Sequence, residues 1–145
     1  MGQRLTVLAY LDSCLHIYSV ERDPTWARTV DRLLGTADLN IATSALVLME
    51  CLVKPFRMFD RRLEQRYRIL LATYHAFPLT TEVFELAARL RADTPGLKTP
   101  DAIHLACAMH YRCDEFWTND DRGLTGALAG RLVVRTLSRG ANPAP

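Results

Sequence analysis

The sequence predicts one α/β domain built on a mostly parallel sheet of about five strands flanked by helices. Three observations carry that expectation. Strand-like apolar runs recur at residues 5–11, 39–42, 76–79, 116–118 and 132–137. Helical patterns separate them, which is the alternation of a parallel sheet covered by helices. At 145 residues the chain has the length of one ordinary domain and can bury a core without covalent staples. The domain is expected over residues 1–137, with the closing "SRGANPAP", residues 138–145, as a disordered tail.

Taken in order, the first run, "TVLAYL", meets Asp12 and turns into a helical pattern. Trp26, Val30, Leu33 and Leu34 follow at helical spacing, introduced by Asp23-Pro24 and closed by Gly35. After the second run, Ser44 is expected to cap a helix whose residues 45–53 carry a single charge, Glu50. Leu63, Tyr67, Leu70, Leu71 and Tyr74 form an amphipathic stripe, and Val83, Ala87 and Leu90 form another; both read as core faces. In "KTPDAIHLACAMHY" Thr99 is the expected N-cap, with Pro100 at the first helical position and Asp101 in the first turn. The strand in "DEFWTNDDRGL" ends in Thr118-Asn119-Asp120-Asp121, before a turn marked by Gly123.

Composition narrows the classes further. Cys14, Cys51, Cys107 and Cys113 show neither CxxC nor zinc-ligand spacing, so they read as buried or free thiols in a reducing cytosol. No apolar window reaches the length of a membrane span, and Asp12 interrupts the stretch that would otherwise resemble a leader peptide. A soluble cytoplasmic protein without a membrane partner is expected. The net charge of +2 is too small to require a polyanionic partner.

Four acids stand where apolar residues are expected. Taken singly, each has a structural explanation; Asp101, for instance, complements the dipole of its helix. Together they suggest a site, because Asp12 and Asp120 end strands while Glu50 and Asp101 lie in helices that follow the same sheet edge, where open α/β folds bind ligands. Converging carboxylates repel one another unless they share protons or surround a cation. Oxygen-only ligation favours a hard ion, Mg²⁺ or Mn²⁺. Among His16, His75, His104 and His110, only His104, three residues after Asp101, is expected near the acids, and it reads as a buried or hydrogen-bonded helix residue.

The ordered stretches "LDSCLHIY", "TSALVLMECL", "TPDAIHLACAM" and "FWTNDDRGL" resemble the PIN domain, most closely the VapC-like toxin ribonucleases of toxin-antitoxin pairs. That resemblance covers nearly the whole chain. It implies a parallel sheet flanked by helices, metal-dependent endoribonuclease activity leaving a 5′-phosphate and a 3′-hydroxyl, and neutralisation by a small antitoxin. Asp12, Glu50, Asp101 and Asp120 take the four acidic positions. Thr118 matches the hydroxyl residue that would orient a neighbouring carboxylate or a water at the metal. Asp121 offers a second acid beside Asp120, which strand alternation favours as the one facing the metal. The number of metal ions stays open.

Residues 54–68, "KPFRMFDRRLEQRYR", set six basic residues against Asp60 and Glu64. Arg57, Arg61, Arg62 and Arg66, with Lys98 and Arg122 beside the acidic motifs, are the candidate RNA-phosphate contacts. A solvated helix face and an antitoxin-binding surface are equally compatible with the segment. The expected partners are an RNA substrate, a cognate antitoxin and a second copy of the chain in a homodimer. Two other classes stay open: a non-catalytic RNA- or protein-binding module on the same fold, and a structure-selective DNA nuclease or a phosphotransfer domain using Lys98.

Overall fold

The computed structural model describes residues 6–119, 124 and 132–137. The expected tail at 138–145, the acids Asp120 and Asp121, the candidate cation Arg122 and the turn at Gly123 lie outside the described residues.

Five strands form one all-parallel sheet: β1 (Val7–Leu11), β2 (Leu39–Thr43), β3 (His75–Ala76), β4 (Glu115–Thr118) and β5 (Val133–Thr136), in the order β3-β2-β1-β4-β5. Six helices among the described residues connect and cover them: α1 (Ser13–Val20), α2 (Ala27–Leu34), α3 (Ala45–Arg57), α4 (Arg61–Ala72), α5 (Thr81–Asp93) and α6 (Thr99–His110). The chain builds outward from β1 through β2 to β3, then returns to the other side of β1 for β4 and β5. That reversal puts the switch point between β1 and β4, where the carboxyl ends of the strands leave a crevice.

Strand alternation divides the core. Ala9 and Leu11 of β1 pack with Leu15, Val30, Ile41 and Trp117 on one face of the sheet. Tyr10 points the other way and joins Val47, Cys51, Leu105 and Phe116, with its ring stacked on Phe116 at 5.6 Å. The same alternation continues into the crevice. Asp12 follows Tyr10 by two residues and Thr118 follows Phe116 by two, so both side chains belong to the face covered by α3 and α6.

Three local expectations are corrected. The third strand is only His75–Ala76 rather than 76–79, because Pro78 has no N–H to extend the ladder after the Phe77 N–H to Thr43 carbonyl bond of 2.9 Å. Ser44 occupies the N-cap of α3 without making a side-chain cap, since its hydroxyl is engaged by Tyr10 instead. Lys98 rather than Thr99 holds the N-cap of α6, one residue earlier than expected. The basic segment is also divided: α3 continues through Pro55 to Arg57, and Asp60 caps α4 by accepting from the Leu63 N–H at 3.0 Å. No helix among the described residues is long and apolar enough to cross a membrane.

Candidate active site

Parallel pairing of Leu11 with Trp117 sets the next residues, Asp12 and Thr118, side by side at the switch point. The Asp12 N–H donates to the Trp117 carbonyl at 2.9 Å, and the Thr118 hydroxyl donates to Asp12 Oδ2 at 2.9 Å. Asp12 is also the N-cap of α1; its Oδ1 accepts from the Ser13 N–H at 2.7 Å and from the Ser13 hydroxyl at 3.3 Å. Backbone amide, hydroxyls and the positive end of a helix therefore converge on one carboxylate and fix both its oxygens.

Glu50 arrives from the second turn of α3, one helical turn after the buried Val47, which orients it inward. It meets His104 of α6, whose Nε2 is hydrogen-bonded to Glu50 Oε1 and lies 3.7 Å from Asp12 Oδ1. Asp101 and His104 are three residues apart on α6 and share a face. A cleft of about 650 Å³ opens over this group, lined by Asp12, Glu50, Lys98 and Asp101 on its charged side and by Tyr18 and Asn119 on another.

Thus, of the four expected acids, Asp12, Glu50 and Asp101 line one cleft, and Asp120 lies outside the described residues. Among the described residues, Asp12, Glu50 and His104 form a group whose potential ligand atoms all lie within 4.8 Å of one another. His104 is 1% exposed and hydrogen-bonded, as expected from the sequence, but its partners are the acids themselves and Tyr10. The signal for it was positional: a histidine one turn after Asp101 must face wherever Asp101 faces. Tyr10 and Ser44 join the site through tertiary contacts, and the one sequence signal for them is the position of Tyr10 two residues before Asp12 in a strand.

All four cysteines are free, and burial pushes Cys14, Cys51, Cys107 and Cys113 each up to about 12; for Cys14 the nearby Asp12 charge adds to the effect. The basic residues of segment 54–68 and the candidate Lys98 separate in the structure. Arg66 donates to the Val20 carbonyl at 2.7 Å, Arg68 pairs with Glu64 at 2.9 Å, and Lys54 pairs with Glu21. Arg57, Arg61 and Arg62 are exposed around the turn between α3 and α4, and Lys98 is exposed at the cleft.

Residues 9–125 match the PIN domain. No curated protein gives a significant match. Among solved structures, the chain is similar to one from a toxin-antitoxin complex of Klebsiella pneumoniae, at 26% identity and a TM-score of 0.67 over 86% of this chain and 95% of that one. It is also similar to a chain of VapBC2 from Rickettsia felis bound to a DNA fragment from their promoter, at 16% identity and a TM-score of 0.70 over 90% and 98% of the two chains. A third likeness is to VapC20 from Mycobacterium tuberculosis, a Sarcin-Ricin loop cleaving toxin, at 18% identity and a TM-score of 0.68 over 85% and 98%. With its all-parallel sheet, its acids at the switch point and a family match spanning most of its length, the chain belongs to the PIN domain family and has the fold of the VapC-like members.

Proposed function

We propose that this chain is a divalent-metal-dependent endoribonuclease and the toxin of a toxin-antitoxin pair. The observation that carries the reading is the convergence of Asp12, Glu50 and His104 within 4.8 Å at the switch point, in a cleft that Asp101 and Lys98 also line. The donor set fits a hard cation: at least two carboxylates with an open cleft beside them, as Mg²⁺ or Mn²⁺ requires when it keeps part of its water shell. Such an ion supplies Lewis acidity to a phosphodiester and lowers the pKa of water at the scissile phosphorus. Asp12 and Glu50 would hold it, with Asp101 and, from the adjoining segment, Asp120 or Asp121 completing the acidic rim.

The protein's own groups do the rest. Thr118 and Ser13 keep Asp12 in one rotamer, so its oxygens need not reorganise when substrate arrives. Lys98 stands on the cleft wall as a point charge for a phosphate, and Arg122 would join it from the neighbouring segment. Arg57, Arg61 and Arg62 are the more distant phosphate contacts, whereas the carbonyl bond of Arg66 speaks for a structural role.

An antitoxin partner is supported by the likeness to the Klebsiella complex and by the surface of the α3–α4 hairpin. Met49, Val53 and Phe56 repeat at helical spacing along α3 and are 52%, 39% and 53% exposed; Phe59, at the turn, is 92% exposed. An apolar stripe flanked by arginines suits an amphipathic acidic segment. The free thiols fit a reducing cytoplasm. The test is cleavage of RNA by the purified protein: activity with Mg²⁺ or Mn²⁺, its loss on chelation with EDTA and its return on adding the ion support the reading. Cleavage unaffected by EDTA, or none under any ion, overturns it.

A further inference from the structure

A chain of hydrogen bonds runs from the buried core into the cleft. Ser44 Oγ and Tyr10 Oη lie 2.7 Å apart, Tyr10 Oη and His104 Nδ1 lie 2.6 Å apart, and His104 Nε2 reaches Glu50 Oε1. Ser44, Tyr10 and His104 are 2%, 0% and 1% exposed, so no solvent competes along the Ser44–Tyr10–His104 stretch. The placement is specific. Ser44 gives up capping α3 to make its bond, and the Tyr10 ring stacks on Phe116 and meets the His104 ring at a tilt, each at 5.6 Å.

Proton counting limits what His104 can do. An ionised carboxylate oxygen only accepts, so with Glu50 charged the nitrogen facing it carries the proton. With Nε2–H directed at Glu50, Nδ1 can accept from the Tyr10 hydroxyl, which in turn accepts from Ser44. That arrangement satisfies every group and leaves Nε2–H on Glu50. It does not offer the Nε2 lone pair that a metal ion would need.

We infer that His104 is a positioning residue and not a metal ligand: it clamps Glu50 toward Asp12, and the Tyr10–Ser44 hydroxyl pair clamps His104. The inference rests on the metal-site reading proposed above and goes beyond it. It converts a mixed nitrogen and oxygen cluster into an oxygen-only one, which selects hard ions and disfavours Zn²⁺. His104 then acts as an outer hydrogen-bond partner of a ligating carboxylate, a class whose loss weakens metal binding by about tenfold to a hundredfold.

Two measurements on the full chain test this. In the metal-free wild type, nitrogen and proton NMR of the imidazole should show His104 Nε2 protonated; an unprotonated Nε2 overturns the clamp. Calorimetric titration with Mn²⁺ should show Kd weakened by about tenfold to a hundredfold in His104→Leu, with most of the loss restored in His104→Gln, whose amide N–H can replace the imidazole donor. Tyr10→Phe, which keeps the ring stack, should weaken Mn²⁺ by about tenfold and guards against a poorly folded His104→Leu. Equal Kd in Tyr10→Phe and wild type, or a Gln variant no better than Leu while both remain folded, overturns the proposal. The two readings fail separately: protonated Nε2 with no Mn²⁺ binding removes the nuclease and keeps the clamp, whereas Mn²⁺ binding with unprotonated Nε2 does the reverse.

Discussion

The cleft and the outer surface of the α3–α4 hairpin share helix α3 and differ in almost everything else. On the inner side, Glu50 is hydrogen-bonded to a buried histidine, and neighbouring Asp12 has both carboxylate oxygens engaged. On the outer side, Met49, Val53 and Phe56 face solvent, and Phe59 takes a left-handed backbone with φ 52° while 92% exposed. A bulky residue in that conformation costs about 1 kcal/mol, and no burial among the described residues offsets it. The difference is one of engagement: the inner carboxylates are held by hydrogen bonds from the chain itself, whereas the outer apolar side chains face solvent, as the proposed partner surface requires.

The contrast breaks most sharply at Asp12. Asp12→Asn keeps an oxygen for the Ser13 N–H and removes one of the crowded charges, so the melting temperature should hold or rise while RNA cleavage falls by more than about a hundredfold. Initial rates and thermal melts check this; near-normal cleavage by the folded variant would exclude Asp12 from the chemistry. Thr118→Val is a smaller disturbance of the same group. It keeps the shape in the sheet and removes the donor to Asp12 Oδ2, for which a tenfold to hundredfold drop in Mn²⁺ affinity is expected, on the order of other outer partners of metal ligands.

The hairpin should answer differently. Replacing Arg57, Arg61 and Arg62 by alanine is expected to weaken RNA binding by about tenfold at low salt and to make its salt dependence shallower by up to about 2 in slope, with Mn²⁺ affinity unchanged. An unaltered slope would leave these arginines to the antitoxin, and loss of Mn²⁺ binding would erase the distinction between the two regions.

The smallest effect concerns a second buried histidine, which sharpens the contrast because its ring has no hydrogen-bond partner among the described residues. His16 is fully buried, neither ring nitrogen makes a full hydrogen bond, and burial pushes its pKa down to about 4 from the ordinary 6.5, against a weaker opposing pull from the Leu11 backbone. Between those values the unfolded chain binds a proton that the folded one refuses, so stability falls as pH drops through the window. From pH 6.5 to 5.5 the His16 contribution is about 1 kcal/mol. Denaturant melts of wild type and His16→Leu at the two pH values measure it; parallel losses in both proteins would show that His16 is not the sensor.

Sequence patterns exposed much of this because the fold repeats simple periods. Alternation in "TVLAYL" ended at Asp12, and helical spacing tied Asp101 to the face that also carries His104. What escaped was produced by tertiary pairing. Thr118 is expected to orient a neighbouring carboxylate, and the register of β1 against β4 makes that carboxylate Asp12; Ser44, by contrast, reads locally as a helix cap until Tyr10, 34 residues away, takes its hydroxyl. Likewise, residues 54–68 read as one basic segment, but Lys54 is committed to Glu21 and Arg66 to Val20, partners on α1 and next to it that no local pattern reveals.

The most direct test of the central claim is a calorimetric titration of the metal-free protein with Mn²⁺, comparing wild type with Asp12→Asn and Glu50→Gln. Saturable binding by the wild type that is lost or severely weakened in both folded variants is the predicted result. The same isotherm in all three proteins would contradict the claim that this cleft is a metal site.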